Sequence, residues 1–227
     1  MTTHPTLPPP APERPVIREH HGDRFIDPYE WLRDGEDPEV IAHLVVENAY
    51  AEALTERLEP LRQKIFAEIK SRVLETDLSV PVASGPWWYY SRTVEGQQYA
   101  LQARSPLTDR AARPVLDGEA ITGEQVLVDG NVEAGDTQVS ALRPLSVSHD
   151  HKRLALTTER TGDERFDLLI KDLTTGEVLD DTVSDIGYGV EFSRDGTFVF
   201  YTRLVEAWRP HQLWRHKVGT PTSQDVL

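Results

Sequence analysis

The sequence has no cysteine and a single methionine in 227 residues. Without thiols there can be no disulfide staples, no thiolate metal ligands and no cysteine nucleophile, and a reducing compartment fits that composition. Long apolar runs are missing too. None approaches the roughly 18 residues of a membrane-spanning helix. The stretch Met1–Pro15 is Pro-rich and polar and lacks the apolar core of a secretion signal, so a cytoplasmic address is the expectation. Positive charge is scarce: 24 Lys and Arg stand against 38 Asp and Glu, a formal net charge of −14. Such a field repels nucleic acid and anionic lipid, which argues against both as partners; it keeps a chain soluble and draws cationic ligands. Several chemical signatures are absent as well. There is no Gly-x-Ser-x-Gly, the elbow that carries the usual α/β-hydrolase nucleophile. Zinc-protease, P-loop and dinucleotide-binding motifs are also lacking, so no metal and no cofactor are expected.

What is present is a repeat. Val147-Ser148-His149-Asp150 and Phe192-Ser193-Arg194-Asp195 open two segments set 45 positions apart. Each runs into an apolar strand, Leu154-Ala155-Leu156-Thr157 and Val199-Phe200-Tyr201-Thr202, and past a polar turn Phe166–Leu169 still matches His211–Trp214. Short strands repeating near this period mark the blades of a β-propeller. An earlier set completes the pattern: Trp87–Arg92, Tyr99–Arg104 and Gln125–Val128 read as strands of a first blade, with Glu95-Gly96 as a turn. Asp195-Gly196 and Thr175-Gly176 sit where hairpin turns need positive φ. From Leu78 onward there is room for about three blades, whereas propellers close with about four to eight. The last residues, Gln224–Leu227, read as the start of a strand with no turn or cap beyond, which points to a truncated sequence.

The N-terminal part is different in kind. Six prolines between Pro5 and Pro15 deny residues 1–15 helix or sheet and suggest a flexible tail. Asp37 is placed to cap a helix with Pro38 in its first turn. Val40, Ile41, Leu44, Val45, Ala49 and Leu58 suggest one apolar stripe on it. Pro60 starts a second helix in which Leu61, Ile65, Ile69 and Val73 recur every four residues. These stripes need a partner surface, supplied by the strands that follow or by a domain outside the chain.

Four groups of residues could carry chemistry. His149-Asp150-His151 could pass for metal ligands, but its counterpart one repeat later, Arg194-Asp195-Gly196, makes it a hairpin turn. Arg160-Thr161-Gly162-Asp163-Glu164-Arg165 reads as a solvated loop between strands that could form ion pairs. Trp208-Arg209-Pro210-His211 with Trp214-Arg215-His216 could stack on a ligand. Trp214 aligns with Leu169 and so is expected to pack between strands, while Trp208 is open to either role. His20-His21, beside Glu19 and Asp23, reads as exposed surface. No residue is assigned a catalytic, cofactor-binding or metal-binding role.

Several segments resemble the prolyl oligopeptidase family of serine peptidases. His21-Gly22-Asp23, Asp27-Pro28-Tyr29-Glu30-Trp31-Leu32-Arg33-Asp34 and Glu47-Asn48-Ala49-Tyr50 are similar to its N-terminal segment. Trp88–Arg92 with Gln98-Tyr99, Thr161–Glu164, Lys171–Glu177, and Tyr201-Thr202-Arg203 with Trp214-Arg215-His216 resemble its oligopeptidase B branch. The resemblance implies an α+β fragment. An N-terminal helical segment, residues 16–77, would pack on a C-terminal α/β-hydrolase domain absent from this chain. The first blades of a seven-bladed propeller, residues 78–227, would follow. It further implies a peptidase for short peptides, cut after Arg or Lys, with a Ser-Asp-His triad beyond residue 227. The propeller would gate access, and this portion alone would be inactive. The alternative is a non-catalytic propeller remnant that serves as a binding module.

Overall fold

A computed structural model describes residues 7–116, 121–135 and 141–227, with the backbone alone over 141–144. The chain divides into two compact units, one ending at Val73 and one running from Leu74 to Leu227.

In the first unit, residues 8–15 carry no regular secondary structure. Their distal end is held by the Trp31 indole, which donates to the Pro12 carbonyl at 2.9 Å, and by Arg14 N–H on the Pro28 carbonyl at 2.8 Å. Strands β1 (Val16–His20) and β2 (Asp23–Asp27) form an antiparallel hairpin. Its two-residue turn places both His21 (φ 53°) and Gly22 (φ 85°) in the left-handed region, the geometry that matches strand twist. The His20-His21 pair is thus an exposed hairpin corner, as its charged neighbours suggest. A short 3-10 turn, Glu30–Arg33, leads to helix α1 (Pro38–Thr55). Asp37 caps α1 as expected, its carboxylate accepting from Glu39 N–H at 2.8 Å. Helix α2 (Glu59–Lys70) starts at Glu59, one residue before Pro60.

The single stripe expected on α1 does not appear. Val40 is buried, but Ile41, Leu44, Val45, Val46 and Leu54 are all exposed, so its apolar side chains spread around the helix. On α2, Leu61, Ile65, Phe66 and Ile69 are likewise exposed.

Among the described residues the second unit forms three antiparallel sheets, each a meander in chain order. The first holds β3 (Val82–Ser84), β4 (Trp87–Arg92), β5 (Leu101–Pro106) and β6 (Gln125–Asp129), adding β3 to the three strands legible in sequence. A helical turn, α3 (Gly130–Ala134), follows. The second sheet holds β7 (Ala141–Val147), β8 (Arg153–Glu159), β9 (Phe166–Asp172) and β10 (Val183–Ile186). The β7–β8 register shifts between Arg143 and Ser146, where Pro144 has no N–H to give the ladder. The third sheet holds β11 (Val190–Phe192), β12 (Phe198–Leu204) and β13 (Pro210–Lys217), and Val226 pairs antiparallel with Arg215 on its outer edge. These are blade-like sheets in the number the 45-residue spacing predicts.

Cores lie between sheets. Phe166, Leu168 and Ile170 of β9 interlock with Val190, Phe192, Val199 and Tyr201 of the third sheet, and the partly buried Trp214 packs on this cluster. Leu127 and Val128 of β6 meet Leu154 and Leu156 of β8.

Candidate functional site

The repeated turn is reproduced bond for bond. Ser148 Oγ donates to Asp150 Oδ1 at 2.6 Å and accepts Arg153 N–H at 2.9 Å; Ser193 Oγ does the same with Asp195 Oδ1 at 2.6 Å and Phe198 N–H at 2.9 Å. The residue that must adopt positive φ is Gly196 (70°) in one turn and His151 (59°) in the other. Glycine reaches that region freely; a histidine there is strained and invites a reason.

The reason lies on the neighbouring sheet. His151 Nδ1 lies 2.8 Å from the Tyr89 hydroxyl, with the two rings stacked at 6.0 Å. Arg104, 4% exposed, donates from Nη1 to the His151 carbonyl at 2.7 Å and to the Tyr89 oxygen at 3.3 Å. Its Nε binds Gln125 Oε1 at 2.8 Å, and its guanidinium lies 4.0 Å over the Trp87 ring. Gln125 in turn donates to the Leu173 carbonyl at 2.8 Å, and Lys171 Nζ reaches the Leu127 carbonyl at 3.0 Å. First and second sheets are therefore stitched by side chains alone along this seam. The imidazole sits so close to Gly85 that a Cβ there would fall 2.0 Å from His151 Nε2. Burial, then the charges of Arg104 and His149, hold the ring below the usual histidine range. Burial likewise pushes the Tyr89 phenol up against the opposing pull of Arg104. The turn reading of His149-Asp150-His151 holds, and among the described residues no cluster suited to a metal ion exists. Sequence reasoning missed the seam itself; an imidazole at a position where the repeat has glycine was the available signal.

The second seam joins the second and third sheets. Ser146 Oγ donates to Glu191 Oε1 at 3.0 Å, and Arg153 Nη1 to the Gly196 carbonyl at 3.2 Å. At one rim, Trp208 Nε1 donates to the Asp163 carbonyl at 2.6 Å, and Arg165 lies 5.2 Å over the same indole while pairing with Asp185. Trp208 is 46% exposed and has φ 54°, so it neither fills the core nor stands free; it staples its hairpin tip to the charged loop 160–165. That loop lines a recess of about 440 Å³ with Thr158, Glu159 and Asp185.

His216 differs from the ligand-facing group its Trp-Arg-His context suggests. It is fully buried, with Nδ1 2.7 Å from Asp225 Oδ1 and Nε2 3.0 Å from Asp181 Oδ2. The ring thus bridges two carboxylates whose side chains are themselves buried. Tyr201 donates to Asp225 at 2.9 Å, and burial followed by that carboxylate pushes its phenol up to about 12.

A cleft of about 540 Å³ opens beside the first strands of the sheets. Val80, Val82, Leu145 and Val147 give it apolar walls, and Tyr89, Ser146 and Glu191 its polar groups. Among the described residues no serine or threonine hydroxyl is hydrogen-bonded to a histidine, the pairing that activates a hydroxyl nucleophile.

Residues 8–227 match the profile described as "Prolyl oligopeptidase, N-terminal beta-propeller domain". The chain is 36% identical over 215 residues to Protease 2 of Moraxella lacunata, covering 94% of this chain and 30% of that protein. It is 35% identical over 233 residues to dipeptidyl aminopeptidase BI of Pseudoxanthomonas mexicana, covering 97% and 32%. Its structure is similar to oligopeptidase B from Leishmania major, with TM-score 0.87 and 27% identity over 98% of this chain and 32% of the other. The chain thus spans about a third of the length of the relatives it matches.

Proposed function

The chain belongs to the prolyl oligopeptidase family through that family's N-terminal β-propeller domain, and from this premise we propose that it is the N-terminal portion of an oligopeptidase B-like serine endopeptidase. The whole enzyme, cytoplasmic and with seven blades, hydrolyses short peptides after Arg or Lys. Its nucleophile, base and oxyanion donors must act together and belong to an α/β-hydrolase body outside these residues. The second unit filters substrate by size and gates its path, and the helices of the first unit dock on that body. The observation that carries the reading is the likeness to oligopeptidase B along nearly all of this chain and only 32% of the other. Unburied apolar residues on α1 and α2 support the docking role. The net charge of −14 suits cationic peptides. A dipeptidyl aminopeptidase reading has nearly equal sequence support, since the two relatives differ by a single percentage point of identity, 36% against 35%.

The test is the intact mass of the endogenous polypeptide, detected by an antibody raised against the sheets. A species much heavier than 25.7 kDa is expected, which cleaves after Arg or Lys inside blocked peptides and is silenced by a serine-directed inhibitor. Cleavage that needs a free amino terminus would favour the dipeptidyl reading. A species of 25.7 kDa would replace both with a binding module, and triad-dependent cleavage by the purified chain would overturn the assignment of chemistry elsewhere.

A further inference from the structure

The seam between the first and second sheets carries an inference independent of any catalytic role. Arginine has only donors, so the Tyr89 oxygen accepts from Arg104 Nη1 at 3.3 Å. The single Tyr89 proton is then free to point at His151 Nδ1, 2.8 Å away. In that arrangement Nδ1 offers a lone pair and His151 is the neutral ring protonated on Nε2, the nitrogen lying over Gly85. We propose that this relay, Arg104 to Tyr89 to His151, is a proton-sensitive latch between the two sheets, closed while His151 is neutral and released when it takes a second proton.

Protonation would act twice. It removes the acceptor that Tyr89 needs, and it sets a cation beside a guanidinium that is itself buried. The charged and titratable groups facing the ring are Tyr89 from β4, Arg104 from β5, and His149 and Asp150 from its own turn. Arg104 and His149 oppose the imidazolium, whereas Asp150 favours it. Asp150 is already engaged by Ser148 and Lys152 N–H, so it is a shared rather than a dedicated counter-ion. The folded ring holds its proton less tightly than the unfolded one. Below the ordinary histidine value of about 6.5 the unfolded or opened state therefore binds more protons, and the seam loses stability as pH falls toward the lower folded value. The strained φ of 59° at His151 fits this role, because the repeat shows that glycine would serve the turn alone.

The latch also borders the cleft of about 540 Å³, to which Tyr89 contributes from the first sheet and Leu145, Ser146 and Val147 from the second. Its release would loosen the wall of that cleft without unfolding either sheet, since each keeps its own backbone ladder.

Nitrogen-15 NMR of the 227-residue chain with labelled histidine tests the closed state directly. At about pH 7.5 the His151 ring should be the neutral form protonated on Nε2. Finding the Nδ1-protonated form or the imidazolium there would overturn the latch. Hydrogen exchange of the segments around Gly85 and His151, corrected for intrinsic rates, tests its release. Exchange should rise by about threefold or more between pH 7.5 and 5.5 in the native chain. In His151→Asn, whose residue tolerates the left-handed turn but does not titrate, that rise should vanish. A rise that persists in His151→Asn, or none in the native chain, would sink the proposal. Tyr89→Phe should exchange at about pH 7.5 as the native chain does when acidified; full protection in that variant would count equally against it.

Discussion

In the unit ending at Val73, Val40 is the single buried apolar side chain among the described residues, whereas the unit from Leu74 buries whole strands of them. The two regions keep their elements by opposite means. The helices of the first are defined locally: Asp37 caps α1, Pro60 sits in the first turn of α2, and Glu59 and Glu68 pair with residues three or four along. Such bonds set where a helix starts but stabilise it by only a few tenths of a kcal/mol each. The sheets are held by side chains far apart in sequence, through apolar layers and charged stitches. Local signals therefore specify the helices of one unit, and non-local burial joins the sheets of the other. A helix that exposes Ile41, Leu44 and Val45 has form without its full packing.

The largest effect that could break this comparison is a cavity. Phe166, 1% exposed, sits between the second and third sheets. Phe166→Ala should destabilise by about 4 kcal/mol. Ile65→Ala on α2, 48% exposed, should cost at most about 0.5 kcal/mol. Chemical denaturation of the two variants decides it; equal losses would mean that α2 is packed in this chain after all.

Next comes the buried His216 with its two carboxylate partners. His216→Gln leaves one amide donor between two carboxylates that were both satisfied by the ring, and Asp181 Oδ1 already lacks a partner among the described residues. Leaving a buried carboxylate oxygen short of a hydrogen-bond donor costs about 3 kcal/mol. A neutral outcome in denaturant would show that water reaches Asp225. Gly85→Ala ranks third. It adds a Cβ at 2.0 Å from His151 Nε2 at a position with φ 53°. The strain of about 1 kcal/mol and the displaced Tyr89 bond of about 1 kcal/mol sum to about 2. Wild-type stability for Gly85→Ala would mean that the ring moves aside without cost.

What the sequence disclosed follows the same division. The blade repeat was legible because a Ser-x-Asp turn spends its side chains on its own backbone, so the same residues recur wherever the turn recurs. The cap of α1 was legible for the same reason. The seam was not: Arg104 and His151 lie 47 residues apart on different sheets, and nothing local to either predicts their meeting. His216 misled because its neighbours in sequence are a tryptophan and an arginine, while its partners, Asp181 and Asp225, come from 35 and nine residues away. The β1–β2 hairpin had a weak local signal in His21-Gly22: histidine is not among the usual first residues of that turn, and the flanking strands, VIREH and DRFID, do not alternate. The α1 stripe failed because Ile41, Leu44, Val45 and Val46 stay exposed, so apolar spacing alone did not report which face is buried.

The cap of α1 offers the sharpest test of local control. Asp37→Ala removes the carboxylate that accepts Glu39 N–H at 2.8 Å and should cost α1 about 1 kcal/mol. If the first unit is held by local bonds, that loss cannot be shared with the sheets. Helical signal at 222 nm should fade at lower temperature, while the tryptophan-monitored melting of the second unit, which carries Trp87, Trp88, Trp208 and Trp214, stays where it was. Should both transitions move together, the two units would be one cooperative body, and the exposed face of α1 would need a different explanation from an unmet partner.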